Sequence, residues 1–407
     1  MKISGIIVEY NPFHNGHIYH INKTKELTNC DGLIAVMSGN FVQRGIPAII
    51  DKWLRTKIAL MNGVDLVLEL PCVYSLSSAE FFGFGAISLL NSLGIVDSIC
   101  FGSENNNIET LMTISKIFSN EPEDFKISLK NYLNKGLSYP LARSKSLQEY
   151  LNKTYASLRQ EELDDILTSS NNILGIEYCK SILKLSSNIK PFCIKREGNS
   201  YNDLNLNSSF SSASAIRNYL KSNNNFDVLK NFMPKNSYDI FCKLNELNYH
   251  FTFEEDEFKY IKYKALTTNN TLNKLPDISE GLDNKILKEL INSVSLNDLI
   301  LKIKSKRYTY TRINRILTHF FVGFDNYDIA TLRKSPCPYA KILGFNSTGR
   351  KILKYMKSNS NIPVYTKIPK FKNDILNLDI QSTKAYSIIN KNIHPNSDYL
   401  TSPIIHT

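Results

Sequence analysis

Short apolar runs alternate with segments of helical spacing over the first half of the chain. Runs rich in β-branched residues predict buried strands at 3–8, 32–37, 64–68, 98–101 and 190–195. Strands separated by helices indicate βαβ units and a parallel sheet with right-handed crossovers. Ligands of such sheets bind at the carboxyl ends of the strands. The pattern therefore predicts an α/β fold with a binding site along one edge of its sheet.

The first predicted strand leads into the segment Ile7-Val-Glu-Tyr-Asn-Pro-Phe-His-Asn-Gly-His-Ile-Tyr-His20. Asn11-Pro12 is a turn signal that ends the strand, and a helix is predicted directly after it. His14 and His17 are three residues apart, so both project from one face of the first helical turn. Gly16 leaves room for a ligand. The first N–H groups of a helix attract anions, so the segment predicts a phosphate-binding site.

These histidines have two other possible roles, as ordinary core or surface residues and as zinc ligands. A lone histidine is more often an ordinary core or surface residue, but the strand, turn, glycine and second histidine reverse that preference here. Zinc requires further ligands, and the nearest cysteine, Cys30, has no paired partner. Seven scattered cysteines without a C-x-x-C motif indicate free thiols, and no metal site is predicted. His20 lies on a different side of the helix from His14, which favours a structural role for its side chain.

Length and composition indicate a globular protein of two domains. The chain has 407 residues, 42% of them hydrophobic and 21% charged. No apolar run reaches the roughly 20 residues of a membrane span, and no signal peptide is apparent, so a cytoplasmic location is predicted. Strand and helix alternation fades beyond residue 222. The predicted domains are an α/β unit, 1–222, and a mainly helical unit, 223–407.

The formal net charge of +11 points to a polyanionic partner. Between residues 301 and 372 there are sixteen Lys or Arg and only two acids. Cations alternate with tyrosines near the start of this region, which is typical of surfaces that hold phosphates and unstacked bases. A solvated helix face is the rival interpretation. The predicted nucleic-acid contacts are Lys306, Arg307, Tyr308, Tyr310, Arg312 and Arg315.

Ordered motifs carry a family resemblance. His14-Asn15-Gly16-His17 resembles the H-x-G-H signature of the nucleotidylyltransferase superfamily, whose members are Rossmann-like and transfer AMP from ATP. Motifs at 101–104, 171–175, 195–196 and 211–217 follow in the order seen in bacterial tRNA(Met) cytidine acetate ligases. The resemblance extends over essentially the whole chain. Ala213 departs from the pattern, since a hydroxyl residue is common there.

The resemblance implies a two-step reaction. Acetate is activated to acetyl-adenylate with release of pyrophosphate, and acetyl is then transferred to the wobble cytidine of elongator tRNA(Met). His14 and His17 would be catalytic, and Mg²⁺ would be bound through ATP. The sequence does not identify a general base. The implied ATP contacts are Ile7, Val8, Glu9, Tyr10, Asn11, Pro12, Phe13, His14, Asn15, Gly16, His17, Ile18, Tyr19, His20, Gly102, Asn171, Arg196, Ser214 and Arg217.

Three further hypotheses stay open at this point. A small-molecule adenylyltransferase of cofactor biosynthesis would leave nearly half of the chain unexplained. A non-catalytic RNA-binding protein would not need the intact histidine motif. A class I aminoacyl-tRNA synthetase shares that motif but has a lysine-bearing second signature, which is absent here.

Arg55 and Lys57, on a predicted helix from about residue 50, are either phosphate clamps or part of an exposed helix face.

Overall fold

Strands from both ends of the chain form one main sheet. A computed structural model describes residues 1–137, 139–154, 160–196, 211–223, 225–279 and 281–407. The strands in these residues are β1 (Ile3–Val8), β2 (Gly32–Ser38), β3 (Phe41–Val42), β4 (Ile46–Pro47), β5 (Leu66–Leu70), β6 (Ser98–Ser103), β7 (Lys190–Lys195), β8 (Ala340–Phe345), β9 (Val364–Tyr365) and β10 (Ile404–Ile405).

The main sheet has the order β10-β8-β5-β2-β1-β6-β7, and β9 pairs with β8. The five strands from β5 to β7 are mutually parallel, in the order expected of a Rossmann-like sheet. β8 runs antiparallel to β5, whereas β9 and β10 run parallel to β8. β3 and β4 form a separate antiparallel hairpin. The carboxyl ends of β1, β6 and β7 therefore meet at one edge.

Helices cover both faces of the sheet. In the first half they are α1 (Asn15–Thr28), α2 (Lys52–Met61), α3 (Cys72–Ser75), α4 (Ala79–Ser92), α5 (Ile108–Asn120), α6 (Glu123–Asn134), α7 (Tyr139–Thr154), α8 (Gln160–Thr168), α9 (Ser170–Lys184) and α10 (Ala213–Ser222). In the second half they are α11 (Lys235–Glu246), α12 (Phe258–Thr267), α13 (Leu282–Ile291), α14 (Leu296–Ile303), α15 (Tyr310–Val322), α16 (Ile329–Leu332), α17 (Ser347–Asn359), α18 (Asp374–Ile389) and α19 (Ser397–Leu400). Short 3-10 helices span 226–231, 254–257, 272–274 and 324–326.

Side chains of β2 alternate between two hydrophobic cores. Ile34 and Val36 belong to the larger core, which includes residues of α4 and α9. Leu33 and Met37 belong to the other core, which includes residues of α1, α2 and α10. Successive side chains of a strand point to opposite faces, so the uninterrupted apolar run is explained by burial on both sides. Among the described residues, no helix combines the length and apolar character needed to span a bilayer.

The α/β prediction is confirmed, and the second half of the chain is mainly helical as expected. Two predicted strands, at 3–8 and 190–195, agree residue for residue with β1 and β7. The second half also supplies β8, β9 and β10 to the main sheet, and these strands were not predicted from the sequence. The division at residue 222 stays a prediction.

A buried ionic network ties the end of the chain to β5. Lys52 Nζ lies 2.8 Å from a carboxylate oxygen of Glu69 and 2.7 Å from one of Asp398. Lys341 Nζ, on β8, lies 2.8 Å from Glu69 and 2.5 Å from Asp398. The two lysines hold the pKa of the Asp398 carboxyl below its ordinary value despite burial. The network therefore fixes α19 against α2, β5 and β8.

Candidate active site

His14 and His17 begin helix α1 with a reciprocal cap. His14 Nδ1 accepts the backbone N–H of Gly16 at 3.1 Å, and His17 Nδ1 accepts the backbone N–H of His14 at 3.1 Å. The two rings stack with centroids 3.8 Å apart. A neutral imidazole that accepts at Nδ1 carries its proton on Nε2. The cap thus fixes both tautomers and leaves two Nε2–H donors side by side.

Burial keeps these imidazoles neutral. It lowers the pKa of His14 to about 3, with further lowering by the charges of Arg196 and Arg217. It also lowers the pKa of His17 well below its ordinary value. His20 donates to the carbonyl of Cys100 at 3.1 Å, and burial lowers its pKa to about 4. Near neutral pH, the histidines are therefore uncharged hydrogen-bond donors and not imidazolium ions.

A cleft of about 210 Å³, here called the first cleft, lies at the carboxyl ends of β1, β6 and β7. Fourteen of the predicted ATP contacts line it: Ile7, Val8, Glu9, Tyr10, Asn11, His14, Gly16, His17, Tyr19, His20, Gly102, Asn171, Arg196 and Arg217. Segments separated by up to two hundred residues meet here, because the strand ends of a parallel sheet share one edge.

Two arginines bring positive charge to this cleft. Arg196 directly follows β7, and its backbone N–H donates to the carbonyl of Ser103 at 3.1 Å. Arg217 lies on α10, and its guanidinium donates to the carbonyl of Asn11 at 2.5 Å. The N-terminus of α10 also lines the cleft through Ser212 and Ala213. Guanidinium groups and a helix N-terminus together favour an anion.

The β3–β4 hairpin closes one side of the first cleft with Val42, Gln43, Arg44 and Ile46. Its Gln43 N–H donates to the Glu9 carboxylate at 2.8 Å. Burial raises the pKa of Glu9, although this hydrogen bond and neighbouring arginines oppose the shift.

Helix α15 fixes the position of this hairpin from behind. Gly45 has φ +75°, and a Cβ atom at this position would lie 2.4 Å from the backbone nitrogen of Arg315. The Thr318 hydroxyl donates to the carbonyl of Gly45 at 2.7 Å. Glycine is required because both the left-handed backbone and the close helix exclude a side chain. The hairpin thus connects the first cleft with the second half of the chain.

A second cleft of about 580 Å³ adjoins the first and shares three of its lining residues, Arg44, Ile46 and Arg217. Its walls come from α10, α14, α15 and the segment before α12. The other lining residues are Ser214, Asn218, Lys221, Phe253, Glu254, Asn297, Tyr310, Thr311 and Asn314. The two clefts are therefore neighbours across the hairpin.

Five predicted ATP contacts do not line the first cleft. Pro12 and Phe13 are buried, and Ile18 packs against the core around α1. These side chains therefore belong to the core that supports the site. The Asn15 amide donates to a backbone carbonyl of the second half of the chain at 3.0 Å. Ser214 lines the second cleft and accepts from a guanidinium group at 3.2 Å.

Two asparagines in the first turn of α9 contact the loop after β6 and have different roles. The Asn171 amide donates to Glu104 at 2.6 Å, and the residue lines the first cleft. Asn172 does not cap α9, whose N-cap is Ser169. The Asn172 side-chain oxygen instead accepts from the Ser103 hydroxyl at 2.7 Å and from the backbone N–H of Glu104 at 3.0 Å. Asn172 therefore fixes the loop after β6.

The apolar wall of the first cleft was not predicted from the sequence. Phe82, Phe101, Leu174, Tyr178 and Ile194 line it from α4, β6, α9 and β7. Such residues are indistinguishable in sequence from ordinary core residues, so no local signal identified them. Lys195 also lines the cleft, and the motif that contains Arg196 had pointed to it.

Arg55 has neither of the two roles considered for it. Its side chain is 1% exposed, and it donates to the carbonyls of Glu9 at 2.7 Å, Ser38 at 3.0 Å and Gly39. These carbonyls lie at the end of β2 or directly after β1 and β2, so the guanidinium connects the segments that shape the first cleft. Lys57 is exposed on α2, as the second interpretation expected.

The predicted nucleic-acid contacts divide into exposed and anchored residues. Lys306 and Arg307 are exposed in the loop before α15. The Tyr308 hydroxyl donates to the carbonyl of Ser279 at 2.9 Å, which anchors the ring. Tyr310 is half-buried in the wall of the second cleft. This stretch is therefore a structured surface and not a uniform solvated helix face.

Three arginines surround one acid next to this stretch. Arg312 donates to the backbone carbonyl of Asp277 at 2.6 Å, and Arg333 lies 3.6 Å from its carboxylate. Burial lowers the pKa of Arg315, and the nearby charges of Arg312 and Arg333 lower it further against the opposing charge of Asp277. One carboxylate does not neutralise three guanidinium groups, so this cluster, Arg312, Arg315 and Arg333, attracts anions.

No group of three or more His, Cys, Asp or Glu side chains that could hold a metal ion occurs in the part of the chain that the structure describes. The cysteines in that part are free thiols, several of them buried.

Comparison with known proteins assigns the family. The model of the family described as HIGH Nucleotidyl Transferase matches residues 1–399. A tRNA(Met) cytidine acetate ligase of Clostridium novyi is 58% identical over 99% of both chains, and one of Clostridium acetobutylicum is 56% identical over the whole of both. The crystal structure of apo Thermotoga maritima TmcAL superposes with a TM-score of 0.91 at 34% identity, covering 100% of this chain and 99% of that one.

A second Thermotoga maritima TmcAL structure, bound with alpha-thio ATP, gives a TM-score of 0.88 with the same identity and coverage. The similarity therefore includes both halves of the chain and not the histidine motif alone. By these matches, the chain belongs to the HIGH nucleotidyl transferase family and, within it, to the tRNA(Met) cytidine acetate ligases.

Proposed function

We propose that this enzyme uses ATP to activate acetate as acetyl-adenylate and then acetylates the wobble cytidine of elongator tRNA(Met) to N4-acetylcytidine. The observation that carries the proposal is the pair of neutral Nε2–H donors on His14 and His17, in one cleft with Arg196 and Arg217. Relatives named tRNA(Met) cytidine acetate ligase, which match the chain along its whole length, supply the substrate.

In the first step, a carboxylate oxygen of acetate attacks the α-phosphorus of ATP and pyrophosphate leaves. Negative charge increases on the phosphoryl oxygens, and preorganised donors stabilise it without reorganisation. His14 and His17 present such donors because their caps fix the tautomer. Arg217, on α10, is placed to hold the departing pyrophosphate.

The apolar wall of the first cleft suits the adenine ring. Phe82, Leu174 and Tyr178 lie on this wall, beside Gly102 and Asn171. Nucleotide bases bind in apolar clefts with a few polar groups that fix their orientation. The alpha-thio ATP complex of the Thermotoga protein supports ATP as the nucleotide. Mg²⁺ would be bound through the phosphates of ATP, where it offsets their charge.

The basic surface of the second half suits the tRNA. Lys306 and Arg307 are exposed, and the arginine cluster of Arg312, Arg315 and Arg333 lies beside them. Such cations hold phosphates in a way that depends on salt and not on sequence. A tRNA substrate supports a cytoplasmic location. A small-molecule adenylyltransferase would leave this surface without a role.

The experiment is incubation of the enzyme with ATP, labelled acetate and a pool of bacterial tRNA, followed by digestion and nucleoside analysis. Label in N4-acetylcytidine that depends on ATP is expected. Equal labelling without ATP would contradict the activation step. If pyrophosphate is released in an acetate-dependent manner while the tRNA stays unlabelled, the acceptor assignment is wrong.

A further inference from the structure

The second cleft contains a buried hydrogen-bond acceptor that has no partner. Asn314 lines this cleft from α15 and is 2% exposed. Its Oδ1 atom has no hydrogen-bond partner, although the atom is buried. A buried amide oxygen without a partner costs free energy. Such an oxygen is therefore normally satisfied by solvent or by a ligand. The Asn314 oxygen is therefore a feature that needs a donor.

The orientation of the Asn314 amide follows from its other contact. Its Nδ2 lies 3.4 Å from the backbone carbonyl of Arg44, in the β3–β4 hairpin. Exchanging the amide nitrogen and oxygen would bring two acceptor oxygens together, so the nitrogen belongs on this side. Oδ1 is thus the atom left to accept a hydrogen bond from an occupant of the cleft.

The Asn314 oxygen lies in a cleft that adjoins the proposed site of acetate activation. Arg44 and Arg217 line both clefts. An occupant of the second cleft therefore lies beside Arg217, which is proposed to hold the departing pyrophosphate in the first. The half-buried ring of Tyr310 forms another part of the wall. Aromatic rings stack on unpaired bases with little regard to their identity. An acceptor oxygen beside such a ring can distinguish bases by their amino groups.

We propose that the second cleft seats the base that receives the acetyl group, and that Asn314 Oδ1 accepts a hydrogen bond from its exocyclic amine. This inference rests on the proposed function, in which that base is cytidine. Cytosine carries an amino group at C4, which donates, whereas uracil carries an oxygen there, which accepts. The Asn314 oxygen attracts the former and repels the latter. Asn314 is thus a specificity-determining residue for the second step.

The test measures binding and does not depend on turnover. A 17-nucleotide anticodon stem–loop RNA carries cytidine, uridine or the pyrimidin-2-one nucleoside, which lacks the amine, at the acceptor position. Fluorescence anisotropy gives the dissociation constant of each RNA in the presence of ATP. Wild-type protein is expected to prefer cytidine by about fivefold to tenfold, the effect of one buried hydrogen bond. Equal binding of the three RNAs would overturn the inference without any variant.

Protein variants then assign the preference to one residue. Asn314→Leu should reduce the preference for cytidine to less than about twofold, while Asn314→Asp, which keeps an acceptor oxygen, should retain it. Asn297→Leu is the matched control, since Asn297 lines the same cleft but its oxygen already accepts from the Tyr310 hydroxyl at 3.3 Å. Asn297→Leu should weaken the binding of all three RNAs to the same extent.

The outcomes separate the inference from the proposed function. If Asn314→Leu keeps the full preference for cytidine, Asn314 does not read the base and the inference is wrong, whatever the wild-type enzyme acetylates. If the wild-type enzyme incorporates no acetate into tRNA, the proposed function fails on that separate measurement. Circular dichroism establishes that each variant is folded, and the pyrimidin-2-one RNA tests the same contact in wild-type protein.

Discussion

The imidazole rings of His14 and His17 stack 3.8 Å apart, and each uses Nδ1 to cap the same turn of α1. One atom of each ring therefore serves the fold, while the other is left to serve the chemistry. Asparagine is also a good N-cap, but it has no donor at the position of Nε2. Replacing either histidine by asparagine therefore removes the Nε2–H donor and keeps the acceptor that caps the helix.

We predict that His14→Asn and His17→Asn lower acetate-dependent ATP–pyrophosphate exchange by about 10²-fold to 10³-fold, the usual effect of losing one preorganised donor. The melting temperature should change little, because the cap acceptor is retained. His394→Asn, at an exposed histidine elsewhere, is the control. Normal exchange in either cleft variant would remove the histidine from the mechanism.

A substitution at Gly45 tests whether the two clefts are coupled through the β3–β4 hairpin. Gly45→Ala should displace the β3–β4 hairpin, since the new methyl group would meet the backbone of α15. Both pyrophosphate exchange and acetyl transfer should fall. Gly136→Ala is the matched control, because Gly136 has φ +80° but nothing lies within 4 Å of its Cβ position. The control should cost about 1 kcal/mol of unfolding free energy and leave both steps intact; equal behaviour of the two variants would refute the steric argument.

The exposed cations before α15 should contribute to the salt dependence of tRNA binding. Lys306→Ala with Arg307→Ala should weaken tRNA binding and reduce the slope of log K against log[salt] by about 0.7 to 0.9 for each lost phosphate contact. ATP binding should not change. The control pair is Lys351→Ala with Lys354→Ala, two exposed lysines on α17. An unchanged slope in the first pair would place the RNA surface elsewhere.

The buried network at the end of the chain should dominate the stability of its last helix. Asp398→Asn leaves Lys52 and Lys341 without one shared carboxylate, and breaking such a buried pair costs about 3–5 kcal/mol. Asp298→Asn removes an i,i+4 pair with Lys302 at the surface, where solvent screens the charges, and should cost far less. Urea unfolding compares the two variants. Similar losses would mean that the network is not a major contributor.

His319 should make the protein less stable in acid. It is fully buried, donates to the carbonyl of Leu76 at 2.6 Å, and its pKa is lowered by burial. The unfolded chain takes up a proton near pH 6.5 whereas the native state does not, so stability falls as the pH decreases below that value.

His319→Gln keeps a donor at the same place but does not titrate. Between pH 7.5 and pH 5.0, wild-type protein should lose up to about 2 kcal/mol more unfolding free energy than the variant does. Urea titrations at the two pH values give the comparison. Parallel losses would show that His319 does not contribute to the acid sensitivity.

Local patterns predicted the parallel sheet, because β1 and β7 are apolar runs with clear ends. They also predicted the histidine face, which depends on a spacing within one turn. They did not predict the pairing of β8 with β5, which joins segments nearly three hundred residues apart and has no local signature. Arg55 was misjudged for the same reason, since its carbonyl partners come from the ends of two other strands.

The sheet is completed by the last segments of the chain. The strands from β1 to β7 lie within the first 195 residues, yet among the described residues β8 covers the edge of β5 and β10 covers the edge of β8. During synthesis on the ribosome, the β5 edge therefore stays unpaired until most of the protein has been made, and unpaired edges invite association with other chains. A chain that ends early lacks a finished sheet as well as the basic surface proposed to bind tRNA. Under the proposed function, the order of synthesis thus disfavours a fragment that activates acetate without a tRNA to receive it.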